Sequence, residues 1–170
     1  WRYSTALYRG ILLMAACSCI NGSAGEAQKT GLDPRGEIHV PIGLANTVDT
    51  LKTFVEAEGC FSPGFGSYGV YFWLYDRDGK KLTAPTMEGV RCDRGLSPEG
   101  HLIPWSEWDA GGVRVRSEVC QIRRATPVGD VCVVAARVRL TNTAKTDRRV
   151  TLYAALRSLG PAGWAVNQLN

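Results

Sequence analysis

The sequence lacks the motifs that mark common catalytic sites. It contains no GxSxG, no HExxH, no phosphate-binding loop and no cysteine and histidine at a recognisable catalytic spacing. No CxxC pair occurs, and only His39 and His101 could contribute imidazole to a zinc site. We therefore predict no catalytic residue, no metal site and no cofactor, which argues against a self-contained enzyme.

The chain also lacks long apolar runs and large clusters of one charge. Its formal net charge is +4, and arginines spread along predicted strands supply much of it: Arg114, Arg116, Arg137 and Arg139. A solvated sheet face explains this spacing better than a nucleic-acid footprint, so no nucleic-acid partner is predicted. With 45% hydrophobic and 21% charged residues, the composition is that of a globular protein.

The N-terminal residues have the layout of a secretory signal peptide. Arg2 and Arg9 precede an apolar run over 10–16, which stays largely apolar to Ile20, and small residues follow at 21–27. The run is shorter than the roughly 20 residues that span a bilayer. We predict that residues 1–27 are an export signal and that the protein is periplasmic or extracellular; the alternative is a buried N-terminal helix.

Two routes of signal processing are open. The stretch from Met14 to Cys17 resembles a bacterial lipoprotein signal, in which Cys17 would be lipidated and would provide the only membrane attachment; Met14 stands where leucine is usual. The small residues over 22–27 offer ordinary cleavage sites instead. Residues 28–36 then form a linker, and residues 37–170 form one domain. Since the chain starts at Trp1, we expect a fragment, and the domain is either just complete at Asn170 or continues past it.

The alternation of apolar and polar side chains along the sequence predicts an all-β, antiparallel β-sandwich of about seven strands. The clearest pattern runs over 113–157, as three strands joined by two hairpins, with Leu140 opposite Val150 across the second turn. A change of parity near Val119 predicts a β-bulge. Residues 131–136 are apolar on both faces, which predicts a central, well-covered segment.

The earlier strands are predicted from the same alternation. Residues 37–45 carry Pro41, which removes a ladder donor and indicates an edge strand. A half-exposed strand follows over 51–58, then a glycine-rich loop over 59–69. Residues 70–76 form the next strand, with a return at 81–84, and residues 85–112 are predicted to be an irregular connection.

Four cysteines lie after the export signal, and an even number in an oxidising compartment permits two disulfides. Cys120 and Cys132 flank the first hairpin at the parity of its core face, so a cross-strand bridge is predicted, which leaves Cys60 with Cys92. The alternative is four buried thiols, because cysteine packs well as a small hydrophobe.

Aromatic side chains mark the candidate functional surface. In the strand over 70–76, Val70, Phe72 and Leu74 share the predicted core parity, and three aromatic residues share the opposite face: Tyr71, Trp73 and Tyr75. Trp105 and Trp108 follow in the irregular segment. Such a surface either packs against another domain or stacks on sugar rings.

Two acids and one turn are weaker candidates for chemistry. Glu107 and Asp109 could act as acid and base in glycoside hydrolysis only across a sugar-sized cleft, so solvated loop acids are the favoured interpretation. The sequence DRDG over 76–79 is a turn rather than a calcium site.

A family resemblance links these features. The run VRLTNTAKTDRRVTLYAALRSLGPAGW, with SEVCQIRR and VYFWLYD upstream, resembles the N-terminal β-sandwich of bacterial six-hairpin glycosidases of the glucoamylase kind. The likeness covers residues 37–170. It implies a non-catalytic sandwich packed on a downstream helical barrel, which carries the catalytic acids and would lie past Asn170. The alternative function is a free-standing carbohydrate-binding or adhesion module with a polysaccharide partner.

Overall fold

The structure, a computed structural model, describes residues 31–34, 38–44, 52–98, 101–127 and 129–160. The predicted export signal, the predicted lipidation site at Cys17 and the C-terminal residues 161–170 lie outside these ranges. The described part of the chain contains ten β-strands: β1 (His39–Ile42), β2 (Thr53–Glu56), β3 (Phe61–Ser62), β4 (Gly69–Asp76), β5 (Lys81–Thr83), β6 (Cys92–Leu96), β7 (Pro104–Asp109), β8 (Val113–Thr126), β9 (Gly129–Asn142) and β10 (Val150–Arg157).

The strands form two antiparallel sheets, which confirms the predicted all-β fold. The first sheet has the order β1-β2-β3-β4-β10, with β5 also paired to β4, and the second has the order β6-β7-β8-β9. The described residues form ten strands, whereas about seven were predicted. Part of the difference is that residues 85–112, predicted to be irregular, contain β6 and β7. The short β5 pairs with the end of β4, so the predicted return after the DRDG turn is confirmed.

Both sheets contribute side chains to a shared interior. One core cluster joins Phe72 of β4 to Val119 of β8, and a second joins Leu74 of β4 to Val115 of β8. Val138 packs against both clusters. The prediction that Val70, Phe72 and Leu74 of β4 face the core is therefore confirmed. Burial of apolar side chains between the two sheets is the main apolar stabilisation of the fold.

The predicted hairpin between β9 and β10 is wrong. Instead, β10 pairs with β4 in the first sheet, where Leu152 lies opposite Leu74. The chain crosses between the sheets after β9, and the Thr143 and Ala144 amides donate to Gly112 O at 2.9 and 3.1 Å. Leu140 and Val150 still pack on one core cluster. Alternation identified the apolar face of each strand, but it carries no information on which sheet a strand joins.

The predicted bulge near Val119 is also wrong. The pairing of β8 with β9 runs without interruption from Val113 opposite Asn142 to Thr126 opposite Gly129. Ser117 is buried and keeps the inward parity between Val115 and Val119, and Ile122 points outward with 45% of its surface exposed. The parity change in the sequence arises because, past Val119, the polar Gln121 takes the inward position and the apolar Ile122 takes an outward one.

The segment over 131–136 is not the covered centre of a sheet. Among the described strands β9 has one neighbour, β8, and it forms an edge of the second sheet. The pairing of β7 with β8 reaches only Glu118, so the rest of β8 and the start of β9 extend as a two-stranded ribbon. Val131 is accordingly 39% exposed.

The first two strands give one confirmation and one correction. β1 is the edge strand of the first sheet, as Pro41 indicates. The half-exposed strand predicted over 51–58 would place Glu56 and Glu58 on its polar, exposed face, but both are buried. The reason is the second sheet, because the turn between β2 and β3 packs against it.

Candidate functional site

The outward surface of the first sheet is an aromatic face. Since Phe72 and Leu74 point into the core, Tyr71, Trp73 and Tyr75 point away from the second sheet. Strand β10 extends this surface by placing Tyr153 directly opposite Trp73. We define the aromatic face by the outward residues of β4, β5 and β10 that share it: Tyr71, Trp73, Tyr75, Leu82 and Tyr153.

Exposure is graded across the aromatic face. Tyr71 is 3% exposed, Trp73 and Tyr75 are half-buried, and Tyr153 is 39% exposed. The accessible part is thus centred on the cross-strand pair of Trp73 and Tyr153. Directly opposed residues have Cβ atoms about 5 Å apart. The two rings therefore belong to one surface patch that a partner could contact simultaneously.

Arg157 covers the end of the aromatic face at Tyr71. Its guanidinium lies 5.0 Å from the Tyr71 ring centroid and 5.8 Å from that of Trp73. The same group donates to the Asp33 carboxylate at 2.6 Å and to Leu32 O at 2.8 Å. The Tyr71 hydroxyl donates to Leu159 O at 3.1 Å. Burial raises the pKa of Tyr71, so this hydroxyl stays protonated at neutral pH.

The opposite end of the aromatic face carries ion pairs. Arg77 Nε donates to Thr151 Oγ1 at 2.9 Å, beside Tyr75 in the strand ladder. Arg149 donates to Asp78 Oδ1 at 2.8 Å, and this hydrogen bond lowers the pKa of Asp78. The exposed aromatic centre therefore lies between two polar ends, both of which carry guanidinium groups.

The two predicted tryptophans of β7 lie elsewhere. Trp108 is 2% exposed and belongs to the core. Trp105 is on the outward face of the second sheet, where its ring packs against Gly95 and lies 4.2 Å from the Arg116 guanidinium. The five predicted aromatic residues thus do not form one surface, because β7 belongs to the second sheet and its odd and even positions point in opposite directions.

The outward face of the second sheet is a ladder of charges. Arg114 lies 3.6 Å from Glu107 and 3.8 Å from Asp109, and Arg116 lies 3.5 Å from Glu107. Both acids border an open groove of about 460 Å³. Burial acts to raise the pKa of Glu118, but hydrogen bonds from Arg137 and Arg116 lower it below its usual value. The predicted acid pair is therefore engaged by arginines on a solvated sheet face.

None of the four described cysteines is in a disulfide in the structure. The predicted pair of Cys120 with Cys132 is wrong, because Cys120 lies opposite Ala135 and Cys132 lies opposite Arg123. Directly opposed residues share a face, so the two thiols point to opposite sides of the ribbon. Across the described residues, no group of three or more histidine, cysteine and acidic side chains is placed to hold a metal ion.

Two residues of the site, Tyr153 and Arg157, were not predicted from the sequence. Their shared outward parity with Thr151 is visible in the sequence of β10. Their place beside the aromatic residues depends on the pairing of β10 with β4. The predicted hairpin paired β10 with β9 instead, so this neighbourhood was not predicted.

Comparisons with protein-family models, curated proteins and solved structures find no match to this chain. Among the described residues, no helix has the length and apolarity that crossing a membrane requires.

Proposed function

We propose that this chain is a non-catalytic β-sandwich of an exported carbohydrate-active protein, and that its aromatic face packs on a downstream helical barrel. The main support for this proposal is the cross-strand pair of Trp73 and Tyr153, whose aromatic rings are partly exposed on the outer face of the first sheet. Full burial of a large apolar side chain is worth about 1.5 to 3 kcal/mol, and a partner that covers the exposed part of this pair gains the corresponding fraction.

Two further features support this proposal. The likeness to the sandwich of six-hairpin glycosidases spans β4, β8, β9 and β10, and it implies a catalytic barrel encoded past Asn170. The N-terminal pattern over 1–27 implies export, with Cys17 as the lipidated residue if the lipoprotein route is used. The sandwich would then support the barrel near its sugar-binding end without contributing a catalytic group.

A carbohydrate-binding module is the second candidate function, and it uses the same aromatic face. Tyr153 and Trp73 form a paired platform, and Arg77, Thr151 and Arg157 provide hydrogen-bonding groups at its ends. Aromatic rings flanked by polar groups suit pyranose rings, whose C–H faces stack while their hydroxyls form hydrogen bonds. This arrangement favours a free-standing sugar-binding or adhesion role if the natural chain ends near Asn170.

Thermal unfolding of variants in two chain lengths tests both candidates. Tyr153→Ser and Trp73→Ala are prepared in the 170-residue chain and in the natural full-length gene product, with Trp105→Ala as a matched tryptophan control on the opposite sheet. Docking predicts that Tyr153→Ser lowers the Tm of the longer product more than that of the 170-residue chain. Sugar binding predicts instead that the variant abolishes retardation of the 170-residue chain in polysaccharide-containing gels. Equal Tm effects together with no retardation of the parent chain would refute both.

The reading frame of the source DNA is an independent test. Docking predicts that it continues past Asn170 for several hundred codons with a repeated helical-hairpin pattern. A stop codon soon after Asn170 would contradict docking and would leave sugar binding as the proposal under test.

A further inference from the structure

The turn between β2 and β3 brings the first sheet into contact with the second. A Cβ atom at Gly59 would overlap the Oγ atoms of Ser106 and Ser117, which are buried and 3.0 Å apart on the inner side of the second sheet. The thiol of Cys92, in β6, donates to Ala57 O at 3.5 Å. Three strands of the second sheet therefore surround this turn.

Cys60 lies at the end of the same turn. Its carbonyl accepts a hydrogen bond from Glu56 N at 2.8 Å, and Gly59 N donates to Glu56 O at 2.9 Å, so the turn is tightly closed. Cys60 is 4% exposed, whereas Cys92 is half-buried. Burial is the main cause that raises the pKa of Cys60, and Glu56, Glu58 and Cys92 add to it. The Cys92 sulfur contacts Ala57 O of this closed turn, so it lies beside the segment that carries Cys60.

We propose that Cys60 and Cys92 form a disulfide that crosslinks the two sheets. The co-reactant is a low-molecular-weight or protein disulfide of the kind that exported proteins meet. The Cys92 thiolate attacks that disulfide first, because Cys92 is the more accessible of the two, and one thiol leaves. The Cys60 thiolate then attacks Cys92 Sγ and displaces the second thiol. The two leaving thiolates take up the two thiol protons through water, so two cysteines are oxidised and one external disulfide is reduced to two thiols.

The other two described cysteines provide matched controls. Cys120 and Cys132 lie three ladder positions apart and on opposite faces of the β8–β9 ribbon, so they cannot bridge each other without rearrangement. The disulfide is independent of the aromatic face and of what that face binds. An oxidising location belongs to the proposed function, but the test supplies its own oxidant, so either proposal can fail alone.

Peptide mapping tests the pairing directly. The purified 170-residue chain is incubated with oxidised glutathione, alkylated without reduction and cleaved with trypsin. The proposal predicts a linked species that joins residues 53–77 to residues 92–94 and is lighter by two hydrogens than the sum of the two peptides. It also predicts that peptides 117–123 and 125–137 carry alkylated cysteines. Recovery of Cys60 and Cys92 as alkylated thiols, or linked to other cysteines, would overturn it.

Thermal unfolding with and without reductant gives a second readout. After oxidation, reductant should lower the Tm of the parent chain and of Cys120→Ser by roughly 10 °C, the scale expected for a crosslink that closes a loop of this length in a domain of this size. Cys92→Ser should show no such shift. An equal shift in Cys92→Ser, or none in the parent chain, would contradict the proposed disulfide.

Discussion

Gly59 lies where the turn between β2 and β3 meets the inner side of the second sheet. Its φ of +82° lies in the left-handed region, and its missing side chain leaves the space that Ser106 and Ser117 occupy. Gly66 has a similar φ of +72°, but no atom outside Gly66 and its two chain neighbours lies within 4 Å of the position where its Cβ would stand. Substituting each of the two glycines by alanine therefore distinguishes the cost of backbone strain from the cost of steric overlap.

We predict that Gly59→Ala destabilises the fold far more than Gly66→Ala. The alanine at position 66 adds only left-handed strain, about 1 kcal/mol. The alanine at position 59 adds the same strain and also forces two buried hydroxyls apart, for a total of roughly 2 to 4 kcal/mol. Urea unfolding of both variants measures the difference. Equal losses of unfolding free energy would show that the turn does not pack between the sheets.

A second pair of substitutions tests the continuous register of β8. Val119 is 1% exposed, so Val119→Ala should lower the unfolding free energy by about 2 kcal/mol. Ile122 points outward, so Ile122→Ala should lower it by less than about 1 kcal/mol although it removes more atoms. A bulge at Val119 would bring Ile122 inward and reverse this order in the same urea measurement.

At this scale the sequence predicted apolar positions better than polar ones. Phe72 and Leu74 were correctly placed in the core because aliphatic and phenyl side chains alternate with tyrosine and tryptophan along β4. Glu56 and Glu58 are buried against expectation. Their burial depends on a turn of one sheet reaching the other, which no local pattern reports.

At the scale of strands, β10 shows why parity is an incomplete guide. Its apolar residues were assigned to the correct face, but its partner is β4 rather than the preceding strand. Sequential strands are often neighbours, and the short polar turn over 143–147 fits a hairpin, so the crossing between sheets left no signal. Because of the same error, Tyr153 was not predicted to lie beside Trp73, and the centre of the aromatic face was not predicted.

The charge ladder of the second sheet makes an acid-stability prediction. The pKa of Glu118 is lowered in the folded state, so its ion pairs stabilise the fold above the unfolded-state pKa of about 4.3 and are lost as pH falls through the lower folded-state value. Glu118→Gln should therefore lose less stability between pH 5 and roughly pH 3 than the parent chain, by up to about 1 kcal/mol.

The control for this prediction is Glu88→Gln, which removes a negative charge at an exposed position outside the ladder. Urea unfolding at several pH values measures both variants. A Glu118→Gln profile that parallels the parent chain over the acidic range would contradict the ladder's role.

For the whole molecule, a sandwich of antiparallel strands was predictable from alternation and turn residues alone. The number of strands was not, because β6 and β7 lie between prolines and glycines in a segment with no regular apolar period. The candidate surface was predicted in part: β4 supplied three aromatic residues of one face, whereas Trp105 and Trp108 belong to an outer surface and a core elsewhere.

Hydroxyl-radical footprinting shows whether the aromatic face is a contact surface. Oxidation rates of Trp73, Tyr75 and Tyr153 are compared between the 170-residue chain and the natural gene product, each with and without polysaccharide. Phe65, 64% exposed in the β3–β4 loop, serves as the internal control. We predict several-fold slower oxidation of Tyr153 and Trp73 in the longer product or with polysaccharide, and an unchanged rate at Phe65. Equal rates at Tyr153 and Trp73 in all four samples would contradict a contact role for this face.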